Sequence, residues 1–269
     1  MLVIDDSTKL ESICNGFRGL APRDTNKFPA GVYSSTKPYD AVEFPLVKES
    51  DYEVLIKEGV KEKSFLNHIR DIGDDGKQIP SLVQGGYGYC WSHSTVHAVT
   101  LIRARDNQPY IPLSAFAVAA TIKNGRNEGG WSALSLDFIA AKGIPSQKFW
   151  PQGNANVRNG TKECWDDAAK NRVTESWVDM AAPVYKRKLT FQQVMTLLLN
   201  RIPVACDFMW WGHAVCAVAP VIVEKGSYGL MIWNSWGDDW GDKGMAILRG
   251  ERAIPDNAVA PRVVMANNG

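Results

Sequence analysis

An α+β fold is predicted, with helices gathered in the first part of the chain and strands in the second. Three observations carry it. Residues 92–104 place Val96, Val99 and Ile102 at three-residue steps, the period of a helix with one apolar side. Residues 113–123, with Leu113, Phe116, Ala117 and Ala120, and residues 134–141, stopped near Gly143, repeat that pattern. From Ile202 onward, residues 204–208, 213–223, 229–233 and 244–248 read as strands. The first lobe is therefore expected to be mainly helical. No internal repeat or low-complexity segment interrupts the sequence.

With 269 residues and 45% of them hydrophobic, the chain can bury a sizeable core, as one large domain or two intimate lobes. A net charge of +1 implies no strong field toward nucleic acid or an anionic membrane, and nothing marks a nucleic-acid module. No apolar run has the length of a membrane span; residues 214–223 are apolar but too short. The first six residues lack the basic region and apolar core of a standard secretory signal. Cys14, Cys90, Cys164, Cys206 and Cys216 are odd in number and widely spaced, unlike a disulfide framework.

The remaining elements follow in order. Residues 1–65 are punctuated by Asn15-Gly16, Pro22, Pro29-Ala30-Gly31, Pro38 and Pro45, so they are expected to travel over a surface with few regular elements. A helical segment is expected within residues 51–69, interrupted at Gly59. Residues 149–160 read as a loop and residues 173–184 as partly strand-like. Thr190 reads as the N-cap of a helix over residues 191–200, with Val194, Leu197 and Leu198 inward. Residues 252–269 read as a closing loop and tail.

Chemistry centres on Gln84-Gly85-Gly86-Tyr87-Gly88-Tyr89-Cys90. A cysteine in the first turn of a helix feels the positive end of its dipole, which favours thiolate. The alternative is a buried, inert cysteine. A thiol nucleophile needs an imidazole to take its proton and a third group to orient that imidazole. Two distant segments, Trp211-Gly212-His213-Ala214-Val215 and Trp233-Asn234-Ser235-Trp236-Gly237, offer His213 and Asn234.

Taken together, these segments resemble the papain family of cysteine peptidases, with weaker similarities in the right order over residues 78–250. A histidine and an asparagine roughly 130–150 residues beyond the cysteine belong to that pattern. The resemblance implies a papain-like two-lobed fold, a helical lobe and a β-barrel-like lobe with a cleft between them. It divides the chain into an N-terminal extension at 1–65, a covering segment or docking arm, and a papain-like domain at 66–269. It implies that Cys90 is the nucleophile, His213 the base, Asn234 the group that orients it, and Gln84 an oxyanion donor. Gly129 and Gly130 would pair with substrate backbone, and Trp236 would shield the His213–Asn234 bond at the substrate side. The reaction implied is peptide-bond hydrolysis through a thioester, on a peptide or protein substrate, with no cofactor and no metal.

The sequence also departs from the family. Secreted members carry a cysteine three residues before the nucleophile, where this chain has Tyr87; the partner region offers Asn127-Glu128. The first disulfide is missing, which points to a reducing compartment, the cytoplasm, or a virus or phage particle assembled in one. Ser92-His93 stands where the family has a small residue and then a phenylalanine, and His97 follows four residues later on the same helix. His93 and His97 read as two separately hydrogen-bonded histidines, as a perturber of Cys90, or as part of a Cys-x-x-His-x-x-x-His zinc site. Met209, Trp210 and Trp211 form a substrate wall or restrict the cleft. A second functional reading is therefore kept: a catalytically silent or restrained papain-fold protein in a multiprotein assembly, docked through residues 1–65.

Overall fold

The structure is a computed structural model, and it describes residues 1–14, 16–29, 39–40, 45–174, 177–180, 187–262 and 264. The first lobe holds α2 (Leu66–Ile72), α3 (Cys90–Arg105), α4 (Ala115–Lys123), α5 (Ser132–Lys142) and α6 (Lys162–Ala168). Local chemistry fixes their ends. The Ser114 side chain accepts from Ala117 N–H and caps α4, and Thr161 caps α6 in the same way. Helix α6 lies beyond the reach of the sequence pattern: Pro151 and Gly153 mark the turns before it, and its seven residues are too few for a clear helical period.

The second lobe is built on β1 (Leu2–Ile4), β2 (Tyr39–Asp40), β3 (Val178–Asp179), β4 (Val204–Phe208), β5 (His213–Glu224), β6 (Ser227–Trp233), β7 (Met245–Leu248) and β8 (Asn257–Ala260). Their order is β1-β7-β6-β5-β4-β8-β3-β2. The barrel-like expectation is corrected here. The sheet is open and mixed, with β1 parallel to β7 at one edge and β2 parallel to β3 at the other, and among the described residues these edges do not pair. Its faces are covered instead of curled together. Helix α1 (Glu49–Lys61) and α7 (Arg187–Leu199) pack on one side, and α3 and α5 on the other. Along β4, Val204, Cys206 and Phe208 enter the core beneath α1 and α7, while Ala205 enters the core shared with α3 and α5.

Three other expectations are corrected. Gly59 does not interrupt its helix; α1 runs through it because the missing side chain admits the Phe65 ring. Helix α7 starts before Thr190, since Arg187, Lys188 and Leu189 are themselves good helix formers. The supposed tail contains β8, hydrogen-bonded between β4 and β3. Of the strand-like stretch 173–184, residues 175–176 and 181–184 lie outside the described residues.

The N-terminal residues are part of this lobe. Leu2–Ile4 extend the sheet, Arg249 pairs with Asp5 at 2.6 Å, and Trp240 Nε1 donates to the Ile13 carbonyl. Further on, the buried Arg23 guanidinium makes a two-pronged pair with Asp179, both bonds 2.8 Å. Removing one member of a buried pair strands the other, at a cost of about 3–5 kcal/mol. Asp179→Ala is therefore expected to lower the unfolding free energy by about 3 kcal/mol in urea titrations. An unchanged midpoint would contradict the role given to this pair.

Candidate active site

Cys90 is the first residue of α3 and wholly buried. Two effects oppose each other at its thiol: the helix N-terminus favours the anion, and removal from water disfavours it. Burial prevails and pushes the thiol up to about 12, although the backbone N–H groups of Ala214 and Gly19 pull it back. The first-turn position was legible in the sequence; the depth of burial was not.

His213 opens β5 and Asn234 follows β6, which pairs antiparallel with β5, so sheet register brings the two together. His213 Nε2 lies 2.8 Å from Asn234 Oδ1. The same oxygen accepts the Ser235 N–H at 2.7 Å, which fixes the orientation of the amide. Nε2 must then carry the proton, leaving Nδ1 bare, and Nδ1 has no hydrogen-bond partner among the described residues. Burial lowers the imidazole to about 3, against the favourable Asn234 bond, with the Arg18 charge lowering it further. Trp236 lies over the imidazole with ring centroids 4.5 Å apart, and Trp211 meets it edge-on at 4.9 Å.

Gln84 is also fully buried. Its Oε1 accepts from Ser235 Oγ at 2.6 Å, so its amino group points the other way. That group donates to two peptide carbonyls, Tyr87 and Phe17, each at 2.8 Å. The Phe17 oxygen also accepts from Trp236 Nε1 at 3.3 Å. A carbonyl of the chain's own N-terminal segment thus sits on the donor expected to hold an oxyanion.

Residues 16–21 continue across the cleft as a strap. Gly130 N–H donates to Gly19 O at 3.0 Å, and Ala21 N–H donates to Gly130 O at 2.8 Å. Leu20 N–H donates to Gly212 O at 3.1 Å, beside His213, and Arg18 Nη1 donates to Trp211 O at 3.1 Å. The Leu20–Gly130 pairing is parallel. Such contact requires bare backbone: a Cβ on Gly19 would lie 2.2 Å from Gly88 Cα, and one on Gly129 would lie 2.6 Å from Gly19 O. What stays open is a concavity of about 610 Å³ between the strap and Met209–Gly212. Trp211 turns into the core, while Met209 stays at the surface.

The sequence profile of the papain family cysteine protease matches residues 70–262. The chain belongs to the papain family. Curated relatives include the thiol protease aleurain of Arabidopsis thaliana, 28% identical, covering 68% of this chain and 55% of that protein. Zingipain-2 of Zingiber officinale is 27% identical, covering 68% of this chain and 87% of its own length. Among solved structures, xylellain, a cysteine protease from Xylella fastidiosa, has a TM-score of 0.52 at 16% identity, covering 70% of this chain and 83% of its own. Procathepsin L 3 of Tenebrio molitor larval midgut has a TM-score of 0.54 at 17% identity, covering 80% and 90%. The five cysteines of this papain homologue are all free, without the family's usual disulfides.

His93 and His97 turn to separate partners. His93 Nδ1 bonds Tyr89 O at 2.8 Å and its Nε2 meets Gln152 Nε2 at 2.6 Å. His97 Nε2 accepts from Leu82 N–H at 3.1 Å, and its ring stacks on Trp233 at 3.8 Å. Sequence reasoning missed the buried Asp207, which accepts from Ser132 N–H and Oγ and joins the sheet to α5. Alternation along β4 aims it at the helical lobe with Ala205, but an aspartate in a five-residue apolar strand gives no signal of its partner. It also missed which part of residues 1–65 reaches the cleft; Gly16 and Gly19, flanking Phe17-Arg18, were the only cue.

Two outcomes follow from this geometry. Gly19→Ala forces the strap off Gly88, because an overpacked contact of this kind costs about 1–3 kcal/mol. Iodoacetamide labelling of Cys90, followed by peptide mass mapping, is then expected to accelerate about tenfold or more. Equal labelling rates would contradict the covering role of the strap.

The second outcome concerns pH. Burial holds His93 at about 4, His213 at about 3, and His97 well below its ordinary range. Unfolded histidines titrate near 6.5, so below that pH the unfolded chain binds protons that the folded chain refuses. Each histidine then removes roughly 1.4 kcal/mol of stability per pH unit on acidification. Asp207, raised by burial to about 7, acts in the opposite sense between 7 and its unfolded value near 3.9. Three groups outweigh one, so the urea midpoint is expected to be lower at pH 5 than at pH 7. An equal or higher midpoint at pH 5 would contradict the net effect assigned to these buried rings.

Proposed function

We propose that the chain is a cysteine peptidase that hydrolyses peptide bonds and rests with its own strap in the cleft. Cys90 passes its proton to His213 Nδ1 as sulfur attacks the substrate carbonyl carbon. The oxyanion is held by Gln84 Nε2 and the Cys90 backbone N–H. Collapse breaks the C–N bond, the imidazolium protonates the leaving amine, and a thioester remains. Water, deprotonated by His213, hydrolyses the thioester and returns the thiol. Asn234 holds the ring through Nε2 throughout, and Gly130 pairs with extended substrate backbone.

The observation that carries this reading is the Phe17 carbonyl on Gln84 Nε2. The donor expected to stabilise an acyl oxygen is already bonded to a peptide oxygen. In the resting state the thiol and imidazole are both neutral, because burial raises one and lowers the other. Displacing the strap readmits water and substrate, which removes the main cause of both shifts.

A second reading, the restrained interaction protein, is favoured by the strap's anchorage on both sides. Residues 2–13 hold it upstream and the Arg23–Asp179 pair holds it downstream. Hydrolysis of a fluorogenic peptide library by the Gly19→Ala chain separates the two. The peptidase reading expects turnover that Cys90→Ala abolishes and that Gln84→Ala lowers in kcat by about 100-fold, the scale of one lost oxyanion donor. Fast labelling of Cys90 without turnover of any peptide would favour the silent protein.

A further inference from the structure

The nucleophile and the substrate-pairing glycine sit on different segments, and one exposed side chain ties them together. Asn127 Oδ1 accepts the Gly88 N–H at 2.7 Å, and Asn127 Nδ2 donates to Gly86 O at 3.0 Å. The two peptide groups flanking Tyr87 are thus gripped by one amide. A third bond joins the same loops, from Tyr89 Oη to Arg126 O at 2.8 Å. On its other side the Gly88 carbonyl accepts from Trp91 Nε1 at 3.0 Å. The Trp91 ring in turn lies against Gly130, where a Cβ would come within 2.6 Å of it.

These contacts close a ring. Asn127 holds Gly88, Gly88 holds Trp91, Trp91 backs Gly130, and Gly130 is three residues from Asn127 in the same segment. Cys90 lies inside the ring, between Gly88 and Trp91. A shift of the 126–130 loop therefore moves the thiol and the backbone groups of Gly130 together. Without the Asn127 bonds, the peptide groups on either side of Tyr87 lose their link to the 126–130 loop in a segment that Gly85, Gly86 and Gly88 make easy to bend.

We propose that Asn127 is a positioning residue, a non-covalent staple that sets the height of Cys90 relative to Gly130. It touches neither substrate nor reacting atoms, and it acts through Gly88. Because the staple consists of hydrogen bonds alone, thiol reductants leave it intact, which suits a chain whose cysteines are all free. The role in catalysis rests on the peptidase reading above; the mechanical role of the staple does not.

The test therefore has two readouts. The first is amide hydrogen exchange in the full-length chain, followed at Gly88. Asn127→Ala is expected to speed Gly88 exchange about tenfold, the effect of losing one hydrogen bond. Asn127→Asp keeps the acceptor for Gly88 N–H and loses only the donor to Gly86 O, so it is expected to retain most of the protection. The second readout is turnover in the Gly19→Ala background. Asn127→Ala is expected to lower kcat about tenfold with little change in KM, and Asn127→Asp to recover most of kcat. Gly88 exchange equal to wild type in both variants overturns the staple. Faster exchange in Asn127→Ala with unchanged kcat overturns its role in positioning Cys90. If the Gly19→Ala chain turns over no peptide, the peptidase reading fails while the exchange data still decide the staple.

Discussion

The backbone pairing of residues 19–21 with both lobes is the constraint on which the state of this site depends. Leu20 N–H reaches Gly212 on the sheet side, and Gly130 on the helical side exchanges two hydrogen bonds with Gly19 and Ala21. One short segment therefore satisfies polar backbone on both walls of the cleft. The contact is so close that side chains are excluded where Gly19 meets Gly88 and Gly129. The strap also dries the site, and dryness sets its electrostatics. A helix N-terminus contributes at most a couple of kcal/mol toward a thiolate, whereas full burial can shift a group by several pH units. The neutral thiol and neutral imidazole follow from that imbalance.

The anchors explain why the strap stays in place. Upstream, an edge strand and a buried isoleucine carry it into the sheet lobe; downstream, a buried guanidinium bonded to Asp179 and to the Phe28 and Pro29 carbonyls pins it again. Both anchors lie on one lobe, and the strap reaches over to the other. Opening of the cleft is then opposed by the Gly130 bonds and by the buried Asp207–Ser132 connection between the lobes.

Much of the fold was legible because its signals are local. The helical periods of residues 92–104 and 113–123 and the β-branched runs after Ile202 each decide an element without help from the rest. Of the site, Cys90 at a helix start and the His213–Asn234 pairing across neighbouring strands could be read from spacing and motif. What could not be read is what depends on distant partners. Whether the sheet closes is decided by which helices cover its faces. Residues 257–260 form a strand because β4 and β3 leave a gap for it, although its sequence resembles a tail. The strap carries no periodic pattern, since its contacts run through backbone, and Asn127 looks like an ordinary turn residue until its two peptide partners are seen.

The covered, neutral site is tested most directly by nitrogen-15 NMR of the His213 imidazole in the intact chain, followed from pH 4 to pH 9. The account predicts a neutral ring with its proton on Nε2 at every pH in that range, and no titration near 6.5. An imidazolium spectrum at neutral pH, or a proton on Nδ1 with Nε2 bare, would contradict it.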